Sequence, residues 1–133
     1  MSVPAGGRKR RGSRAHALGI DAEEAARAAL ERDGWVVRAR RLRTTAGEID
    51  LVAEKDGLLA VVEVKARPSL SEAAGALSAR QRKRLIAAAE VVLAEHPDWG
   101  AAGVRFDVLL VDAGGSVRRI ADAFRLGEPD HGP

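Results

Sequence analysis

Cysteine is absent from the chain. Disulfides, thiol catalysis and zinc sites built on thiolates are therefore excluded. The three histidines, His16, His96 and His131, stand far apart in sequence and suggest no ligand cluster. Tyrosine is also absent, and Trp35, Trp99, Phe106 and Phe124 make up the whole of the Trp and Phe content. Such scarcity argues against a single-strand binder that stacks bases on aromatic platforms. No run of 18 apolar residues occurs, so no membrane partner is expected. The basic N-terminal stretch is not followed by an apolar segment, so no secretory signal is expected and cytoplasmic residence is the default.

What is present is an ordinary globular composition: 133 residues, 46% hydrophobic and 31% charged. That length suits one domain with a real core. The net charge is +3, but residues 1–17 carry Arg8, Lys9, Arg10, Arg11 and Arg14 and no acid, which leaves −2 for the rest. Residues 1–17 therefore read as a disordered basic arm, either solubilising or a non-specific phosphate contact. Residues 18–126 read as one folded domain and 127–133 as a loose tail.

Within the domain the pattern is α/β. Asp21 is a candidate N-cap, with Glu24 at the capping-box spacing, and Ala22, Ala25, Ala26, Ala29 and Leu30 recur at helical intervals up to Gly34. Residues 35–39 predict a short strand, then a basic stretch and a loop at 44–47. Residues 48–53 and 58–65 predict two strands joined by Asp56-Gly57, a strong two-residue hairpin signal. A small-residue loop covers 69–77. Ser78, with Gln81 three residues on, starts a second helix whose apolar stripe is Leu85, Ile86, Ala89, Val92 and Leu93. Val104 to Val111 reads as a strand reached by a parallel crossover, Gly114-Gly115 as a turn, and 116–120 as an edge strand.

The hairpin carries the chemistry. A two-residue loop at Asp56-Gly57 sets Asp50 across from Glu63 and Glu48 across from Lys65, all four side chains on one face. Opposed β-carbons lie about 5 Å apart. Two carboxylates at that spacing repel each other beside Val and Leu, and a divalent cation relieves the repulsion. Mg²⁺ or Mn²⁺ suits such oxygen ligands, with the Val64 carbonyl as another donor. Lys65 then stands ready to orient or deprotonate a water, or to hold charge on a phosphate. Glu23 shares the helix face of Ala26 and Leu30 and is a candidate further acid; a solvated place at the stripe edge is the alternative. The competing reading of the pair is a solvated Glu63–Lys65 contact at a strand end, or an Asp50–Lys65 salt bridge. A three-residue loop would shift the register and dissolve the site. Arg67 is a candidate bidentate phosphate contact, with a solvated arginine at a strand end as the alternative. Arg80, Arg82, Lys83 and Arg84 form a basic helix face suited to a DNA backbone or simply to solvent. Asp107 reads as structural, pairing with Arg105 or a loop amide.

These residues resemble the PD-(D/E)XK nuclease superfamily, with Asp50 as the first-motif acid and Glu63-Val64-Lys65 as the second motif. More closely, the chain is similar to the bacterial YraN-like family, itself akin to archaeal Holliday-junction resolvases. The matching text is Gly19, Glu23, Ala26, Leu30 and Gly34, then 47–52, 62–67 and 105–108, within about residues 18–125. Two positions depart from the family pattern: Ala22 stands where Gly precedes the helix acid, and Gln81 where Lys is usual. The resemblance implies a restriction-endonuclease-like mixed β-sheet flanked by α-helices. It also implies Asp50, Glu63 and Glu23 around a metal, Lys65 as the catalytic lysine, and Gln81 as a candidate contact to the scissile phosphate. The implied activity is metal-dependent endonucleolytic hydrolysis of DNA, with branched or damaged DNA favoured. A weak or inactive nuclease-fold module that binds nucleic acid or protein is the rival, and a homodimer or protein partner stays open.

Overall fold

The computed structural model describes residues 21–125, with side chains to 121. The basic arm, His16, Gly19, the 127–133 tail and His131 lie outside the described residues. The element order is helix α1 (Ala22–Arg32), strands β1 (Val36–Thr44), β2 (Gly47–Lys55) and β3 (Leu58–Ala66), a 3-10 turn (Glu72–Gly75), helix α2 (Ala79–Glu95), and strands β4 (Gly103–Val111) and β5 (Val117–Arg125). The sheet of the described residues is mixed, in the order β1-β2-β3-β4-β5, and among these strands only the β3–β4 pair is parallel. This is the α/β mixed sheet flanked by helices that the sequence predicted.

Both helices start as their capping residues dictate. The Asp21 carboxylate accepts from the Glu23 and Glu24 N–H groups, and the Ser78–Gln81 capping box is fully formed. Gly34, at φ +90°, ends α1 in the left-handed conformation that favours glycine. Each helix buries a narrow stripe on its own face of the sheet. Ala22, Ala26 and Leu30 of α1 pack with Leu51, Ala53, Ala60, Val62 and Val64. Leu85, Ala88, Ala89 and Val92 of α2 pack with Ile49, Val52, Leu59, Val61 and Phe106. A fully buried Leu such as Leu30 or Leu85 contributes about 1.5–3 kcal/mol. Covered on both faces, β3 is buried from Leu59 to Ala66, which explains its continuous apolar run.

Three elements depart from expectation. β1 is not a five-residue strand followed by a loop: it runs on through Arg38, Arg40, Arg41 and Arg43 to Thr44. Its exposed arginines are interspersed with the half-buried Val37, which packs on the α1 face, and Ala39 and Leu42, which pack on the α2 face; charge on an edge strand discourages pairing with other chains. β5 extends past 120 to Arg125, and the 69–77 loop contains the 3-10 turn. The hairpin behaves as its turn residues require, with Asp56 at φ +52° and Gly57 at φ +80°.

The sheet bends where the site lies. Ala39 and Leu42, three residues apart, both pack on the α2 face, and so do Ile49 and Val52. Strict alternation forbids that. Between them Arg41 takes φ +49°, and next to Ile49 lies Asp50. The two strands are thus kinked together.

Candidate active site

The β2–β3 ladder keeps the expected register from Lys55–Leu58 to Leu51–Val62 and then stops. The expected Asp50–Glu63 and Glu48–Lys65 cross-strand pairs are not formed. At the next step the kink turns Asp50 into the seam between the strands, and its Oδ2 accepts the Val64 N–H at 2.8 Å. A side chain replaces the missing ladder bond, so no main-chain donor is wasted. Asp50 is 1% exposed.

Val64 is therefore the hub. Its N–H holds Asp50, and its neighbours Glu63 and Lys65 turn to the α2 face of the sheet, opposite to Val62, Val64 and Ala66. Glu63 is 5% exposed and Lys65 6%. The Glu63 Oε1 lies 3.4 Å from Arg84 Nη2 on α2. Lys65 Nζ donates to the Ala76 carbonyl at 2.7 Å, just past the 3-10 turn. No Asp50–Lys65 salt bridge forms. Burial pushes the Lys65 ammonium below the ordinary lysine range, the Arg67 charge adds to this, and the Glu63 carboxylate opposes both.

Glu48 is not set across from Lys65; its carboxylate lies 3.7 Å from Arg43 across β1–β2. Glu23 is largely buried, and its carboxylate accepts from Arg41 Nε at 2.5 Å. That contact raises the Arg41 pKa. The structure does not gather Glu23 with Asp50 and Glu63: among the described residues no three His, Cys, Asp or Glu side chains form a group able to hold an ion. What remains is two buried carboxylates, Asp50 on the Val64 N–H and Glu63 next to Val64 in the chain, which offer oxygen donors only. That set fits a hard ion such as Mg²⁺ or Mn²⁺, which retains waters and takes only one or two carboxylates. It does not fit a closed zinc site.

Around this centre, Arg80, Lys83 and Arg84 fall on one stripe of α2. Gln81 spends its Oε1 on the Ser78 N–H at 2.9 Å, the capping alternative to a phosphate contact. Arg67 donates to the Ala66 carbonyl. Asp107 is buried and structural, as expected; Arg105 and Arg119 both donate to its Oδ2, and both guanidiniums stack over Trp35.

Three participants escaped sequence reasoning: Arg41, which bends β1; Ala76, whose carbonyl holds Lys65; and Gly47, on which the Arg84 stem rests. Only Gly47, a glycine at the start of the acidic strand β2, left a signal in the sequence. No helix among the described residues is long and apolar enough to cross a membrane.

Comparison with known proteins gives the family. The profile of Uncharacterised protein family UPF0102 matches residues 22–111. A UPF0102 protein of Granulibacter bethesdensis is 66% identical over 118 residues, covering 89% of this chain and 75% of the relative. One from Azorhizobium caulinodans is 50% identical over 118 residues, covering 89% of this chain and 90% of the relative. A third, from Acidiphilium cryptum, is 50% identical over 116 residues, covering 87% and 90%. The matched span contains Asp50, Glu63, Val64 and Lys65, and the chain belongs to the UPF0102 family.

Proposed function

We propose that the protein is a Mg²⁺- or Mn²⁺-dependent endonuclease of the PD-(D/E)XK kind, hydrolysing phosphodiester bonds in DNA, with branched or damaged DNA as the favoured substrate class. One observation carries the reading: Asp50 sits on the Val64 N–H while Glu63 and Lys65 flank that residue, all three nearly buried. A sheet has no structural need for two acids and a lysine around one buried valine, since each costs desolvation.

Asp50, Glu63 and the Val64 carbonyl would hold the ion, which supplies Lewis acidity and a more acidic water. The protein's own residues do the rest. The Val64 N–H fixes the Asp50 carboxylate in one rotamer. Ala76 holds Lys65 Nζ at a set position beside Glu63. A lysine with a depressed pKa exchanges a proton with water more readily near neutral pH, or stabilises charge on a phosphate oxygen. Glu23 acts through Arg41, holding the bend that turns Asp50 inward. Arg80, Lys83 and Arg84, with Arg67 and the free amide nitrogen of Gln81, face the backbone phosphates.

The test is cleavage of labelled four-way junction, flap and duplex DNA by wild type and Glu63→Gln, in Mg²⁺, Mn²⁺ and EDTA. Cleavage by wild type in metal, lost in EDTA and in the variant, is the expected result. Cleavage that survives either change overturns the mechanism. Binding without cleavage in any metal favours a non-catalytic module.

A further inference from the structure

We propose that Arg84 is an exchanging counter-ion: it neutralises Glu63 in the metal-free protein and passes to a substrate phosphate when a divalent cation takes its place. The proposal rests on Glu63 being a metal ligand.

Among the described residues the buried acids Glu23, Asp107 and Glu63 each have an arginine partner. Arg41 lies 2.5 Å from Glu23, and Arg119 lies 2.6 Å from Asp107. Arg84 lies 3.4 Å from Glu63, beyond the 2.7–2.9 Å of a good charge-assisted bond. Its side chain is also 36% exposed, whereas that of Glu63 is only 6% exposed. This is the longest of the three contacts.

The stem is held more closely than the charge. A Cβ on Gly47 would lie 2.9 Å from Arg84 Cγ and 3.1 Å from Cδ, so the missing side chain of Gly47 is the shelf on which the stem lies. Anchored at Cγ and Cδ, the guanidinium swings on its last bonds only. A doubly charged ion on the same carboxylate repels it and competes with it at a few ångströms. The neighbouring places on the α2 stripe are Arg80 and Lys83, neither of which is ion-paired among the described residues. Displaced from Glu63, the guanidinium joins a stripe already suited to phosphate.

Arg84→Gln tests this, because Gln keeps the Cγ and Cδ atoms that rest on Gly47. Mn²⁺ binding is followed by electron paramagnetic resonance, without DNA, for wild type, Arg84→Gln, Lys83→Gln and Glu63→Gln. Wild type is expected to show a saturable site that Glu63→Gln abolishes. Arg84→Gln is expected to bind Mn²⁺ about fivefold more tightly, the size of a partly exposed ion pair. Lys83→Gln, which removes equal charge from the same stripe, is expected to change the affinity by less than about twofold. With Ca²⁺ as the ion and duplex DNA as the probe, the gain in DNA affinity on adding the ion is expected to shrink about threefold in Arg84→Gln only. A Glu63-dependent Mn²⁺ site whose affinity ignores Arg84 overturns the exchange and leaves the nuclease reading standing. Absence of any Glu63-dependent site overturns both.

Discussion

The carboxylate of Asp50 accepts the backbone N–H of Val64 at 2.8 Å, in the place a neighbouring strand would normally take. One side chain thereby closes the end of the ladder and fixes an acid at the centre of the candidate site.

That double duty separates two substitutions. Asp50→Ala leaves a buried main-chain donor without its acceptor, a loss of about 1–3 kcal/mol. Asp50→Asn keeps an acceptor oxygen and is expected to cost less than about 1 kcal/mol while removing the negative charge. Urea unfolding measures the first difference and Mn²⁺ titration the second. Equal stability of the Ala and Asn variants would show that the bond to Val64 contributes nothing.

Lys65 makes the stability depend on pH. Its folded pKa is depressed chiefly by burial, so between that value and the ordinary lysine range the unfolded chain binds more protons than the folded one. Unfolding free energy then rises with pH through that window. Lys65→Met lacks this gain. The variant's advantage over wild type is expected to be largest at neutral pH and to shrink as pH approaches 10.5. Denaturant melts of both proteins at several pH values check this; a constant gap means that burial does not strain the lysine.

Gly75 sets the position of the Ala76 carbonyl. A Cβ there would lie 2.3 Å from Ile120 Cδ1 and 3.5 Å from both Leu110 methyls. Gly75→Ala is expected to cost about 1–2 kcal/mol through overpacking. Ile120→Val, which removes the clashing methyl, is expected to recover most of that in the double variant. Additive losses in the double-mutant cycle would locate the strain elsewhere.

Asp107 is the counter-charge to two arginines stacked on Trp35. Asp107→Ala leaves both without it and is expected to cost about 3 kcal/mol. The indole emission of Trp35 is expected to shift as the stack loosens, and an unchanged spectrum with unchanged stability contradicts the assignment.

Local signals carried what local chemistry decides. Asp56-Gly57 takes two positive φ angles, and that turn sets the register of every pair down to Leu51–Val62. Ser78 and Gln81 cap α2 by the bonds their spacing implies. The acids and the lysine of the site were visible because an apolar strand has few reasons to hold them. The aim of Asp50 was not visible. It depends on Arg41 adopting a left-handed conformation, which no residue near it requires, and on Glu23 reaching across from α1 to hold Arg41. The Lys65–Ala76 bond spans 11 residues and depends on how Gly75 packs against β5. The length of β1 was hidden because arginines mask its pattern and an irregularity between Val37 and Ala39 moves its half-buried residues from the α1 face to the α2 face.

On the proposed function, Asp50 and Glu63 share one hard cation beside Val64. Crystals soaked in Mn²⁺ and measured at the manganese absorption edge test it most directly. An anomalous peak about 2.1 Å from oxygens of both carboxylates is expected. A peak on one acid alone, or none at saturating Mn²⁺ while the arginine pairs stay intact, would contradict it.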